Sequence, residues 1–87
     1  MKIKDDFMLR KVADTFVVVP VGTATAEFRG MINLNSAGAF LWKALEVETT
    51  EDEVVAKFLE QYEIDEETAR RDVSSFINEL KNSNLFE

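Results

Sequence analysis

The stretch Phe28–Trp42, FRGMINLNSAGAFLW, decides the reading of the chain. Its first half alternates. Phe28, Gly30, Ile32 and Leu34 fall on one side, and Arg29, Met31 and Asn33 on the other. A period of two marks a half-buried strand, so Phe28–Leu34 is predicted as a strand. The second half breaks that period. Asn35 is a good N-cap, and Ala37, Phe40, Leu41, Ala44 and Leu45 recur at helical spacing. A strand therefore runs directly into a helix, with Leu34-Asn35 as the joint.

Before the joint the chain reads as sheet. Thr15–Val21, TFVVVPV, is rich in β-branched residues and reads as a strand. Pro20 cannot donate to a ladder and belongs at the strand end or on an unpaired side. Met8–Ala13 is predicted as a preceding strand, with Asp14-Thr15 as a polar break. Short connections favour an antiparallel three-stranded meander.

After the joint the chain reads as three helices. The first is predicted over Ser36–Glu46. Gly38 inside it either admits a close neighbour or is a tolerated glycine near a helix start, at a cost of ~1 kcal/mol against alanine. Thr50-Glu51-Asp52-Glu53 reads as a capping box: Thr50 takes the Glu53 amide and Glu53 reaches back. The second helix then runs to about Gln61. Asp65 is the expected N-cap of a third helix ending at Lys81 or Asn82. Its buried stripe is Ala69, Val73, Phe76, Ile77 and Leu80. Asn84 is the candidate left-handed residue after it, and Leu85-Phe86 are expected to fold back onto the core. The fold class is thus α+β: a three-stranded antiparallel sheet followed by three helices (βββααα), like a winged helix-turn-helix. Residues 1–87 are expected to form a single domain.

Composition narrows the chemistry. A chain of 87 residues buries roughly 60–65% of its unfolded surface, enough for one core but not for a deep, dry active site. It has no cysteine and no histidine. The usual zinc ligands, the thiol nucleophile and the usual general base are therefore missing, and no catalytic residue, metal or cofactor is assigned. No G-x-G-x-x-G, P-loop or G-x-S-x-G occurs, and Gly22, Gly30 and Gly38 match no phosphate cradle. The carboxylates Glu51–Glu53 and Asp65–Glu67 sit where helix capping and the helix dipole account for them. No stretch approaches the ~20 apolar residues of a membrane span, and a cytoplasmic location is expected. Net charge is −7, unevenly spread. Residues 1–45 hold six Lys/Arg against four Asp/Glu, and residues 46–87 hold four against thirteen. Such an acidic helical half is a poor partner for phosphate backbones.

Two features stand apart from ordinary packing. The third strand, if it lies at the sheet edge, offers free backbone groups to another chain. The third helix carries Arg70, Ser74 and Lys81 on one flank beside Ile77, which is either a solvated face or a contact surface.

The ordered set LNSAGAFLW (Leu34–Trp42), TTEDEVVAKFLEQYEID (Thr49–Asp65) and DVSSFINEL (Asp72–Leu80) resembles the pyrroloquinoline quinone biosynthesis protein D (PqqD-like) family. The resemblance spans about Phe7 to Phe86. It rests on Leu34-Asn35, Trp42, Thr50, Tyr62, Asp72-Val73, Phe76 and Leu80 at the family's spacings. One departure is Asn84, where the family often has glycine. The resemblance implies a RiPP recognition element, a non-enzymatic domain for ribosomally made, modified peptides. Such a domain binds the leader of a precursor peptide as an extra strand and presents it to a modifying enzyme, such as a radical S-adenosylmethionine maturase or a peptidase. Carried onto this chain, the peptide would meet Phe28, Arg29, Met31, Ile32, Asn33 and Leu34 of the third strand. On the third helix it would meet Arg70, Val73, Ser74, Ile77, Asn78 and Lys81. The precursor peptide and the modifying enzyme are the expected partners, with no nucleic acid and no membrane. The alternative is a winged-helix DNA-binding regulator, which the acidic helical half disfavours.

Overall fold

The computed structural model describes residues 1–22 and 32–87. Strand β1 (Phe7–Val12) pairs antiparallel with β2 (Thr15–Pro20), and β2 pairs antiparallel with β3 (Ile32–Leu34). Three helices follow: α1 (Ser36–Ala44), α2 (Glu51–Gln61) and α3 (Glu66–Asn82). The βββααα order is the expected one. Of the predicted third strand, Phe28–Met31 lie outside the described residues.

The first strand is shifted by one residue from the expectation. Ala13 has φ +55°, in the left-handed region, so it belongs to the two-residue turn with Asp14 and not to the strand. The second strand stops at Pro20, one residue short of the expected Val21.

The joint is built as its residues suggest. Asn35 has extended backbone and its Oδ1 accepts the Gly38 N–H at 2.8 Å, capping α1. A Cβ on Gly38 would lie 3.3 Å from both Cβ and Cδ2 of Leu34. Glycine here admits the end of β3 against the first turn of α1. Helix α1 ends two residues early, at Ala44, where the Leu45 N–H turns back to Leu41 and Trp42 carbonyls.

The other caps follow with one revision. Thr50 accepts the Glu53 amide at 3.2 Å. The Glu53 carboxylate, however, takes the Thr49 hydroxyl at 3.0 Å and does not reach back to the Thr50 amide. Asp65 accepts the Thr68 amide at 2.7 Å. At the end of α3, Asn84 adopts φ +58°. Its N–H reaches the Lys81 carbonyl at 3.0 Å, and the Leu85 N–H reaches the Leu80 carbonyl at 3.0 Å. These two bonds are a Schellman motif, with its usual apolar contact supplied by buried Leu80 and Leu85.

The core lies between the sheet and the helices. Val18 of β2, Trp42 and Leu45, Val54 and Val55, Val73 and Ile77 are at most 1% exposed. Phe40, Phe58 and Tyr62 pack as tilted and edge-on rings 5.0–6.1 Å apart, joining α1 to α2. The segment before β1 belongs to the core as well. Ile3 is 2% exposed, bridges Phe86, and donates its N–H to the Leu45 carbonyl at 2.9 Å. A single inserted residue has no periodicity, so the sequence carries no sign of it. No helix among the described residues is long and apolar enough to cross a membrane.

Candidate peptide-docking site

Strand order is β1-β2-β3, so among the described residues β3 has a neighbour on one side only. The phase of the ladder says which of its backbone groups face out. Val21 donates to the Asp6 carbonyl at 2.8 Å. Counting by twos, Val19 and Val17 direct their backbone groups at β1, and Val18 and Phe16 direct theirs at β3. Their partners Ile32 and Leu34 are therefore tied to β2. Asn33, opposite Val17, turns its N–H and C=O to the open margin. Its side chain is exposed.

Just past the end of β3, a cleft of about 250 Å³ opens between the start of α1 and α3. The joint contributes Asn35, Ala37, Gly38 and Leu41. Phe58 of α2 lines it too. Helix α3 contributes Asp72, Ser75, Phe76 and Glu79. Leu41 and Phe58 are buried, Phe76 is half-buried, and Asp72 and Glu79 are exposed. Neither of those two carboxylates has an ion-pair or hydrogen-bond partner among the described residues.

The expected site residues divide on this geometry. Ile32, Asn33 and Leu34 form the open strand, while Phe28, Arg29 and Met31 lie outside the described residues. Val73 and Ile77 are 0% and 1% exposed, wholly inside the core, and offer no surface to a guest. The buried stripe of α3 separates two flanks at about 100° per residue. The Asp72-Phe76-Glu79 flank lines the cleft. Arg70, Ser74, Asn78 and Lys81 stand across the stripe from it. Arg70 is committed there: its guanidinium meets Asp52 at 2.9 Å and Glu66 at 2.9 Å. Those partners, Asp52 first, raise its pKa further above its ordinary value. Ser74 is half-buried, and Asn78 and Lys81 are exposed.

Phe76 is a cleft wall and not an interior residue, contrary to its place in the expected buried stripe. The wheel held the signal: Phe76 lies about 100° from Ile77, at the edge of the apolar arc. Among the described residues no group of three or more potential ligands could hold a metal.

The fold and site define a small α+β domain in which β3, an edge strand among the described residues, leads directly into the wall of a small cleft. The chain belongs to the family described as Coenzyme PQQ synthesis protein D (PqqD), whose pattern it matches over residues 15–85. Two solved structures are similar to it. TbiB1, in complex with the TbiA(beta) leader peptide, aligns with a TM-score of 0.77 and 28% identity, covering 100% of this chain and 95% of that one. Lasso peptide synthetase B1, complexed with the leader peptide, gives a TM-score of 0.73 at 17% identity, covering 97% and 93%, and shows the fold alone. No curated protein matches the chain.

Proposed function

We propose that this protein is a leader-peptide-binding adaptor of the RiPP recognition element type. It captures a ribosomal precursor peptide as an added strand along β3 and holds it for a modifying enzyme, such as a radical S-adenosylmethionine maturase or a peptidase. The observation that carries the reading is the outward Asn33 backbone, with the Phe76 cleft just past the end of β3. Membership of the PqqD family and likeness to a protein solved with a leader peptide support it. In strand addition, main-chain hydrogen bonds supply register and side-chain pockets supply specificity. The margin gives the first and the cleft gives the second.

Binding is the whole of the chain's part in this reading, and the chemistry belongs to the partner. The DNA-binding alternative gains nothing, because α3 presents Glu66, Glu67, Asp72 and Glu79 to solvent. The test is a titration of the folded protein with labelled leader peptides from precursor genes beside its own. Saturable binding in the micromolar range, about −8 kcal/mol, is expected. Failure of every such leader to bind would overturn the proposal.

A further inference from the structure

The cleft is small, and among the described residues that line it the only charged ones are acidic. At about 250 Å³ it falls below the ~300–1,000 Å³ of small-molecule pockets and suits a single apolar side chain. Leu41, Phe58 and Phe76 give it apolar walls. Asp72 and Glu79 bracket Phe76 along α3, about 6 Å before it and about 4.5 Å after it at 1.5 Å per residue. The cations of α3 are turned elsewhere. Arg70 is held by Asp52 and Glu66, and neither Arg71 nor Lys81 lines the cleft. The two carboxylates at the cleft are left unpaired among the described residues.

Resting on the adaptor reading, we infer that the guest is a basic-flanked apolar segment. One apolar side chain fills the cleft. A Lys or Arg two residues away, on the same face of the extended guest, pairs with Asp72 or Glu79. An acidic residue at that place is rejected by like charge, so the pair of carboxylates acts as a specificity filter on precursors.

A random 12-residue peptide library, displayed and selected on the folded protein, tests this. Parallel selections use the Asp72→Asn/Glu79→Gln variant and a control, Glu60→Gln/Glu63→Gln, which removes the same charge outside the cleft. Thermal melts establish that both variants are folded. The wild type and the control are expected to enrich peptides with Lys or Arg within two or three residues of an apolar anchor. The cleft variant is expected to lose that bias and to bind the wild-type winners about three- to tenfold more weakly, as for one or two solvent-exposed ion pairs. Enrichment by the wild type without basic bias would overturn the inference and leave the adaptor reading intact. So would the same bias in the cleft variant. No enrichment by the wild type at all would overturn both.

Discussion

Asn33→Pro is the sharpest probe of strand addition, because the ladder isolates one donor. The Asn33 N–H points away from β2, so proline removes it without breaking a bond that holds the sheet together. Proline at Ile32 would instead delete an N–H that faces β2, confounding binding with folding. Ile32, as the residue before the new proline, must be extended, and it already lies in a strand. Proline is also tolerated on an edge strand. A single main-chain hydrogen bond is worth a net ~0.5–1.5 kcal/mol. At about 1.4 kcal/mol per decade, leader affinity should fall roughly three- to tenfold. Asn33→Ala keeps the N–H and loses only an exposed side chain, so its Kd should stay within about twofold. Fluorescence anisotropy with a labelled leader reads both variants, with thermal melts as the fold control. Amide exchange gives a second readout. The Asn33 amide should exchange fast in the free protein and slow on binding, while those of Ile32 and Leu34 start out protected. Equal Kd values for Asn33→Pro and Asn33→Ala, with an Asn33 amide unprotected by peptide, would refute docking at this margin.

Other perturbations separate the site from the scaffold. Phe76→Ala should cost about 1–2 kcal/mol of stability, less than the 3–5 of a fully buried phenylalanine. It should weaken leader binding at least fivefold, as chemical denaturation and titration together would show. Thr50→Ala removes the cap of α2 and should cost about 1 kcal/mol, lowering Tm by roughly 4–8 °C with leader affinity unchanged. Asp65 has its carboxylate held below the usual range, first by hydrogen bonding from the Thr68 side chain and then from its amide. Its contribution is therefore present above the unfolded-state pKa and lost as pH falls through the lower folded-state value. Melts across the acid range should show Asp65→Asn with a shallower acid decline than the wild type.

The caps and the strand-to-helix joint were legible because each rests on local chemistry. Asn35, Thr50 and Asp65 each stand before a helical period and each accepts the amide three residues on. Asn84 was legible for the same reason, since few residues other than glycine turn left-handed at a helix end. The site was only half legible. Two flanks border the stripe of α3, and sequence period treats them alike. Which one meets the joint depends on how α3 crosses α1 and β3, a tertiary quantity. Arg70 and Lys81 stand out in the sequence as cations in an acidic region, yet Arg70 is bound to Asp52, eighteen positions earlier. The insertion of Ile3 beside Phe86 was illegible because one bridge has no pattern to recognise.

The sheet has two margins, and its residues treat them differently. An open margin invites unwanted pairing, and charged side chains, lysine above all, are the common guard. Strand β1 carries Arg10 and Lys11, both exposed, with the Lys11 ammonium 5.9 Å from the centre of the Phe16 ring. A strand approaching β1 must displace or desolvate those charges. The described part of β3 offers neutral Asn33 between Ile32 and Leu34, with no cation along it. Across the joint lies a cleft whose only charged lining, among the described residues, is acidic. A guest that brings its own cation therefore gains at the β3 side, where Asp72 and Glu79 stand ready. At β1 the same cation meets like charge. Charge placement thus distinguishes two margins that backbone geometry leaves equally open, and it favours one basic guest strand over pairing at either edge by chance.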